Sequence, residues 1–374
     1  MPPEWAAQEA VWMSWPVHTH HWPDNLPMIQ GVFARMAALM ARFEEVRINA
    51  APQHHAGIHA ALQAAGADPS AVRLFPHPTD DVWCRDHGPT FLKHRDNGEI
   101  ALTDWAFNAW GGKFEPHDSD DAVPGLIARS LGLRRFRSDL FFEGGGLEVD
   151  GAGRVLTTES VALNPNRNPD WSKAEVEGEI RSFLGVDQVM WLPSGLEGDD
   201  TDGHIDTLSR FVGPGTVLTA IESNPADPNH AVLERNRRLL IDMGLDVHVL
   251  PQPSPITAPA GWRESRLPGT YANFLILNGA VVVPTYRRPD EDAAALGIIG
   301  GFFPGREIVG FDCLDILLEG GAIHCLTQQQ PAGSKSNGLP WKFRAPSRSA
   351  LGHPIRADHG HERSWLPNGH RRLD

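Results

Sequence analysis

The sequence is poor in cysteine, in basic residues and in long apolar runs. Its 374 residues include only Cys84, Cys313 and Cys325, too few for a disulfide scaffold and odd in number, so we expect a reducing, cytoplasmic compartment. The 33 Lys and Arg are outnumbered by 47 Asp and Glu, which leaves a formal charge of −14 and argues against a nucleic-acid-binding protein. No apolar run reaches about 18 residues, so we expect no membrane span, and we expect no signal peptide.

The remaining composition is that of a globular protein. Hydrophobic residues make up 41% and charged residues 21% of the chain, which supports a packed core and excludes wholesale disorder. The acidic excess favours a small cationic substrate, because clefts lined with carboxylates concentrate positive ligands.

Apolar spacing predicts helices and strands in alternation. Intervals of three and four predict helices over Leu26–Phe43, Pro169–Leu184 and Asn229–Met243. Short apolar runs predict strands at Val46–Ala50, Arg154–Thr158, Val217–Ile221, Val247–Leu250, Phe274–Leu277 and Ala280–Pro284. This alternation indicates an α/β fold class.

One internal echo is visible. Residues 141–149 and 317–325 both read as two apolar residues, a glutamate, a small-residue turn and a new strand. The copies lie 176 residues apart, which fits three units of roughly 60 residues each. Either a common turn recurs by coincidence, or the copies mark a repeated unit whose turns converge on one site.

The last 43 residues, 332–374, differ from the rest in charge. They carry eight Lys or Arg and three Asp or Glu, so their net charge is +5 and that of the preceding body is −19. Their aliphatic residues are isolated and cannot bury enough surface to order the segment alone. We expect a flexible basic tail over 332–374.

Cys325 is the cysteine best placed for chemistry. It follows a Gly-Gly turn, neighbours His324, and precedes the polar run Thr327–Pro331, which we expect to end a strand. A thiol is a nucleophile once it ionises beside a cation or hydrogen-bond donors. The alternative is a small core residue, which we expect for Cys313, while Cys84 fits either interpretation.

His204 lies in an acidic segment. If residues 200–206 are extended, Asp200, Asp202, His204 and Asp206 share one face. That set is compatible with a metal site, with a carboxylate-imidazole cluster around a cation, or with a solvated acidic turn. An EF-hand is excluded because the sixth position from Asp200 is Ile205, and a dinuclear site needs further ligands from other strands.

Asp86 belongs to a third cluster, Asp80–Pro89. Arg85 could neutralise and orient Asp86, which we expect at a strand end, or the two could form a surface ion pair of little energetic weight. The glycine-rich runs are weak signals, because Gly144–Gly146 lacks the later glycine of a dinucleotide fingerprint and Gly300–Gly301 lacks the Lys-Ser/Thr of a phosphate loop.

Thiol, imidazole and carboxylates from distant segments form the set that guanidinium chemistry requires. Two carboxylates hold the planar cation through its nitrogens, a thiolate attacks its carbon, and an imidazole transfers the protons. Ammonia leaves, and water then hydrolyses the amidino-thioether. This scheme needs neither a metal nor another cofactor.

Eight motifs run in order from residue 3 to about 331. They are Pro3–Trp5, Trp15–Pro16, Trp83–Pro89, Phe107–Gly112, Glu143–Gly146, Thr201–Asp206, Tyr271–Phe274 and Glu319–Gln329. Together they resemble the motifs of the agmatine deiminase family, within the guanidino-group-modifying superfamily. In this pattern His87 stands where we expect a small or amide side chain.

The resemblance implies a single catalytic domain over 1–331, built as a five-fold pseudo-symmetric α/β propeller (pentein) of ββαβ-type repeats around a central site. It implies that Cys325 is the nucleophile and that His204 is the acid and base. It also implies that Asp86 and Asp206 grip the guanidinium, and that Glu143 contacts the guanidinium and supports His204. It further implies a substrate channel lined by Trp83, Trp110, Gly111 and Gly112, with Asn273 at its rim. It implies no metal and no cofactor, and it leaves a homodimer open.

Three functions follow, of which the first is the leading hypothesis. It is hydrolysis of agmatine to N-carbamoylputrescine and ammonia, a step toward putrescine. The second is the same chemistry on arginine in peptides or on another guanidino compound; such substrates call for donors, and we expect Arg85 to be occupied by Asp86 and Asp81. The third is a non-catalytic protein that binds cationic amines.

Overall fold

Helices and strands alternate through most of the chain, as the apolar spacing predicts. The computed structural model describes residues 1–18, 22, 25–260, 262, 264–334 and 341. These residues form a mixed α/β architecture, which confirms the predicted class. Within this part of the chain, no helix combines the length and apolar character needed to cross a bilayer.

The strands are β1 (Gln8–Ser14), β2 (Glu45–Asn49), β3 (Val72–Phe75), β4 (Thr90–Lys93), β5 (Ile100–Ala106), β6 (Arg134–Phe141), β7 (Glu148–Val149), β8 (Arg154–Thr158), β9 (Gln188–Leu192), β10 (Ser209–Gly213), β11 (Thr216–Ile221), β12 (Asp246–Pro251), β13 (Ile256–Thr257), β14 (Arg266–Leu267), β15 (Leu275–Ile276), β16 (Ala280–Thr285), β17 (Glu307–Asp312) and β18 (Thr327–Pro331). The α-helices are α1 (Leu26–Met40), α2 (His55–Ala64), α3 (Cys84–His87), α4 (Ala109–Gly112), α5 (Asp118–Leu131), α6 (Glu159–Ala162), α7 (Lys173–Leu184), α8 (Pro228–Asp242), α9 (Pro289–Gly300) and α10 (Leu314–Leu317). Short 3-10 turns lie at Pro52–His54, Gly144–Gly146 and Ile205–Thr207.

Local capping explains where the predicted helices begin. The helix expected from Pro169 starts later, as α7, because the Ser172 side chain accepts a hydrogen bond from the backbone N–H of Glu175 while the Glu175 side chain bonds back to the Ser172 backbone. Helix α8 begins at Pro228, since Asp227 caps it by accepting from the Asn229 N–H at 2.9 Å. Helix α1 buries Ile29, Phe33 and other apolar residues at the predicted intervals.

Five of the six sheets in the described part of the chain share one connection. A first strand pairs antiparallel with a second, and the second crosses over through a helix to a parallel third strand. These sheets are β4–β5–β6 with α5, β7–β8–β9 with α7, β10–β11–β12 with α8, β15–β16–β17 with α9, and β18–β1–β2 with α1. In the last of these, β3 adds a further parallel strand, and the pairing of β1 with β18 joins the two ends of the fold. The polar run Thr327–Pro331, expected to end a strand, is itself the buried strand β18.

The segment before the first strand of each repeat carries the residues singled out from the sequence. Asp86 lies before β4, Glu143 before β7, His204 before β10, Asn273 before β15 and Cys325 before β18. The two Glu-Gly-Gly segments occupy the same place in two repeats that are three units apart, as the echo predicts. The repeated connection therefore brings one polar segment from each unit to a common region.

Apolar side chains of the crossover helices form the core with their sheets. Val176 and Ile180 of α7 are fully buried with Phe136 and Val155, and Leu233 of α8 is buried in a separate cluster. Each such aliphatic side chain contributes about 1.5–3 kcal/mol when removed from water. Cys313 is buried in the largest cluster, which confirms its predicted core position.

The chain beyond β18 continues along the β4–β5 hairpin. The Ser334 N–H donates to Gly98 O at 2.9 Å, and the Ile100 N–H donates to Ser334 O at 3.0 Å. Trp341 lies edge-on to Phe136 with ring centroids 5.5 Å apart, and its Nε1 donates to Glu99 Oε1 at 3.1 Å. The rest of the predicted flexible tail over 332–374 lies outside the described residues.

We expect Trp341 to stabilise the fold. Trp341→Ala removes an aromatic contact and the indole donor to the fully buried Glu99, and should lower the free energy of unfolding by about 1–2 kcal/mol. Denaturant unfolding measures this change, with Met28→Ala, at an exposed position, as a control expected within about 0.5 kcal/mol of the unsubstituted protein. Equal stability of both variants would contradict an anchoring role.

Candidate active site

A cavity opens where the polar segments meet. Asp86 and Cys325 lie on its wall together with Trp83 and Trp110. The other lining residues are Asp81, Phe114, Asp200, Thr201, Glu319, Gly320 and Gly321. The cavity thus combines aromatic walls, several carboxylates and one thiol.

Asp86 is held by two donors in the short helix α3. Its Oδ2 accepts from Trp110 Nε1 at 3.0 Å and its Oδ1 accepts from the Gly145 N–H at 3.0 Å. Burial raises the pKa of Asp86 to about 6, although the nearby His204 opposes the shift. Gly145 permits this approach, since a Cβ there would lie 2.7 Å from Asp86 Oδ1.

Two sequence expectations around Asp86 are wrong. Asp86 lies in a helix rather than at a strand end. Arg85 pairs with neither Asp86 nor Asp81; its Nη1 donates to Gln329 Oε1 at 2.5 Å and its Nε to His324 O at 3.3 Å. Consecutive side chains on a helix point in different directions. Arg85 and Asp86 are therefore adjacent in sequence but do not form an ion pair.

His204 lies between two carboxylates. Its Nε2 is 3.3 Å from Glu143 Oε2 and its Nδ1 is 3.6 Å from Asp86 Oδ1. Burial works against a charged imidazole, but the negative charges of Asp86 and Glu143 outweigh it and raise the pKa of His204 to about 9. His204 is therefore cationic at neutral pH.

Asp206 and Asn273 flank the thiol of Cys325. Sγ lies 3.6 Å from Asp206 Oδ2, and Asn273 Nδ2 donates to Sγ at 3.1 Å. The Oδ1 atom of Asn273 accepts from the Cys325 N–H at 3.3 Å. Asn273 was expected at the rim of the channel, but it is 1% exposed and lies directly beside the sulfur.

The thiol is neutral at neutral pH. Burial raises the pKa of Cys325 well above its usual value, and the negative charges of Asp206 and Asp86 raise it further. Burial also opposes ionisation of Asp206, yet the hydrogen bond from His324 lowers the pKa of Asp206 below its ordinary value. A thiol beside an ionised carboxylate needs an added positive charge before it becomes a thiolate.

Hydrogen bonds link the five segments in a closed circuit. The Gly145 N–H bonds Asp86, Glu143 faces His204, and Asn273 bonds both Asp206 and Cys325. The Arg85 N–H closes the circuit by donating to the carbonyl oxygen of Cys325 at 3.0 Å. Each segment is therefore positioned by its neighbours on both sides.

The segment 200–206 is not extended, so its four side chains do not share a face. Asp202 has a φ of 70° and pairs with Lys113 and Arg167, Asp200 lines the cavity, and Asp206 enters a 3-10 turn. Within the described residues, no group of three or more His, Cys, Asp or Glu side chains is arranged to hold a metal ion.

Of the predicted channel residues, Trp83 and Trp110 line the cavity. Gly111 and Gly112 lie in the described part of the chain but do not line it. The two glycines instead form the turn that presents Trp110, with φ values of 88° and 74°. A Cβ on Gly111 would lie 2.4 Å from the Asn166 side chain. Their role is in the backbone of this turn.

Three further residues, to which the sequence assigned no role, reach the site. Arg167 donates to Glu143 Oε1 at 2.7 Å, which lowers the pKa of Glu143 against the opposing effect of its burial. Glu4 and His324 form a hydrogen-bonded pair behind Asp206. Pro3–Trp5 and His324 stood within the motifs, but only the tertiary structure brings them together.

Comparison with known proteins gives consistent matches. The family model of Porphyromonas-type peptidyl-arginine deiminases matches residues 1–331. The chain is 40% identical over 358 residues to the agmatine deiminase of Stutzerimonas stutzeri, covering 89% of this chain and 95% of that protein. It is 39% identical over 362 residues to the agmatine deiminase of Pseudomonas aeruginosa, covering 90% and 96%.

Solved structures agree with these sequence matches. The agmatine deiminase of Enterococcus faecalis, described as catalysing its reaction, superposes with a TM-score of 0.83 at 32% identity, covering 88% of this chain and 95% of that one. A variant of the C. jejuni agmatine deiminase with substrate bound superposes with a TM-score of 0.81 at 30% identity, covering 88% and 96%.

The raised pKa of Cys325 predicts slow alkylation of the free protein. Because the thiolate is the reactive form, iodoacetamide modification of Cys325 should accelerate steadily from pH 7 to 9, without a plateau near neutrality. Asp206→Asn removes a negative charge beside the sulfur and should accelerate modification at fixed pH. Peptide mass spectrometry locates the adduct, and a rate that is already maximal at pH 7 would contradict the neutral thiol.

Proposed function

Because the chain belongs to the Porphyromonas-type peptidyl-arginine deiminase family, we propose that it hydrolyses agmatine to N-carbamoylputrescine and ammonia. The observation that carries the proposal is a cavity walled by the Cys325 thiol and the Asp86 carboxylate. The cationic imidazole of His204 lies 3.6 Å from Asp86 Oδ1, and the Asp206 carboxylate lies 3.6 Å from the Cys325 sulfur. Relatives named as agmatine deiminases align with about nine-tenths of the chain, which supports this substrate.

Asp86 and Asp206 grip the guanidinium. Asp206 Oδ1 is buried and, within the described residues, has no hydrogen-bond partner, while Asp86 lies on the cavity wall. Carboxylates on two sides hold a planar cation through its N–H groups and fix its plane. The carbon of the guanidinium then faces the sulfur of Cys325.

Binding of the cation activates Cys325. The same negative charges that raise the pKa of the thiol attract the guanidinium, and its positive charge offsets them once it is bound. The thiol then releases its proton to solvent, because His204 is already protonated. The thiolate sulfur adds to the guanidinium carbon, and the electron pair of the C=N bond moves onto nitrogen. Asn273 steadies the sulfur through its Nδ2 donor at 3.1 Å.

His204 supplies and removes the protons. As an imidazolium with a pKa of about 9, it protonates the departing nitrogen, so that the C–N bond breaks and ammonia leaves. The neutral imidazole then takes a proton from water, which attacks the amidino-thioether carbon. The C–S bond breaks and the C–OH group of the adduct becomes the carbonyl of the ureido product, while its proton returns to the departing sulfur and restores the thiol. Glu143 holds the imidazole throughout, and Arg167 fixes Glu143.

The lining of the cavity favours an amine over a carboxylate on the far end of the substrate. Asp81, Asp200 and Glu319 line the cavity, and neither Lys nor Arg is among the lining residues of the described chain. Burial and the adjacent Asp120 raise the pKa of Asp81 to about 8, and a bound ammonium favours its ionised form. The carboxylate of free arginine meets no counter-charge there.

The five repeated connections are arranged as a five-fold α/β propeller around this site, within one catalytic domain over 1–331. Supporting this arrangement, each repeat contributes one segment to the closed circuit of hydrogen bonds. A homodimer and a cytoplasmic location stay predictions from the sequence.

A substrate panel tests the function. Ammonia release should be fastest with agmatine and at least about tenfold slower with arginine or a peptidyl-arginine, because a single unpaired charge in a binding site costs that much or more. Cys325→Ser should abolish release, whereas Cys313→Ser, with the same chemical change in the core, should retain it if the variant folds.

The panel also separates the alternatives. Faster release from the peptide would favour a peptidyl-arginine deiminase, which the name of the matching family allows. Agmatine binding without ammonia release from any guanidino compound would favour a cationic-amine-binding protein and contradict the proposal.

A further inference from the structure

The ring of His324 lies between two carboxylates and is 1% exposed. Its Nδ1 is 2.7 Å from Asp206 Oδ2, and its Nε2 is 2.8 Å from Glu4 Oε2. Each ring nitrogen is thus within hydrogen-bond distance of a carboxylate oxygen, so the ring is held from both sides.

Glu4 is fixed on several sides. Besides His324, its Oε2 accepts from Arg210 Nη2 at 2.7 Å, and its Oε1 accepts from the Ile276 N–H at 2.7 Å. Burial opposes ionisation of Glu4, but Arg210 and His324 together lower its pKa. A buried, ionised Glu4 thus stands at a fixed distance from the far nitrogen of His324.

His324 determines which oxygen of Asp206 is available. Asp206 Oδ2 already accepts from His324 and from Asn273 Nδ2 at 3.2 Å, whereas Oδ1 is buried without a hydrogen-bond partner in the described chain. If His324 turned away, Asp206 Oδ2 would keep only the Asn273 Nδ2 donor, and the carboxylate would be held less firmly in this orientation. The orientation of Asp206 thus depends on the contact between His324 and Glu4.

We propose that Glu4 and His324 are positioning residues, in which the carboxylate of Glu4 keeps the ring of His324 doubly hydrogen-bonded so that Asp206 presents Oδ1 to the guanidinium. Neither residue lines the cavity, and both act through Asp206. The inference rests on the proposed function, because it assigns the N-terminal segment a part in binding that substrate.

Glu4→Gln tests the proposal, with Glu148→Gln as its matched control. Both carboxylates are buried and both bind Arg210, but only Glu4 contacts His324. Glu4→Gln should raise the KM for agmatine about ten- to hundredfold, as expected for loss of a charged hydrogen bond that holds a binding group, with a smaller change in kcat. Glu148→Gln should change KM by no more than about twofold. Equal kinetic effects of the two substitutions would overturn the proposal.

A spectroscopic readout does not depend on turnover. Protein labelled with ¹⁵N-histidine gives ring-nitrogen signals for His324, which are assigned by their loss in His324→Gln. These signals should shift in Glu4→Gln and stay unchanged in Glu148→Gln. If the unsubstituted protein releases no ammonia from agmatine, the proposed function fails while these spectra still decide the ring geometry. Unchanged His324 signals in Glu4→Gln would overturn the proposed positioning role of Glu4 and His324.

His324→Gln decides the matter if Glu4→Gln does not fold. Its amide keeps one donor for Asp206 but removes the ring that bridges to Glu4. A KM increase of the same size supports positioning by the pair, and an unchanged KM contradicts it.

Discussion

The buried carboxylates around Cys325 are the constraint on which the rest of the site depends. Asp86 and Asp206 are removed from water beside a neutral thiol, and unpaired buried charge is costly. His204 offsets part of it, and Arg167 neutralises Glu143 from behind. In the proposed mechanism, a planar cation that enters the cavity completes the arrangement. One electrostatic imbalance would then account for substrate attraction, substrate orientation and activation of the sulfur.

The fold positions these charged side chains on several segments that converge from different repeats, and not on one rigid element. Each repeat delivers its segment just before its first strand, and the backbone N–H groups of Gly145 and Arg85 tie neighbouring segments together. The pairing of β1 with β18 joins the first and last strands of the described chain, which places Glu4 near His324. A site assembled in this way is preorganised, because no single loop can shift without breaking bonds to the next.

The sequence predicted the kind of chemistry better than it predicted which side chains contact each other. Cys325 and His204 could be proposed as reactive groups from their sequence neighbours, and helices α1 and α8 could be predicted from apolar spacing. The pairing of Arg85 was wrong because Arg85 bonds Gln329, a residue remote in sequence. The extended face over 200–206 was wrong because the positive φ of Asp202 and the following 3-10 turn break the alternation. Contacts such as that between Asn273 and Cys325 join residues from different repeats. The local sequence pattern does not predict them, because it reports only on neighbours along the chain.

The most direct measurement of the central claim is the thiolate absorbance of the protein near neutral pH, before and after addition of a guanidinium ligand that binds without being turned over. Absorbance that increases on binding, and is absent from Cys325→Ser, is the expected result, because the cation offsets the carboxylates that keep the thiol protonated. A thiolate already present in the free protein, or none in the complex, would contradict the account.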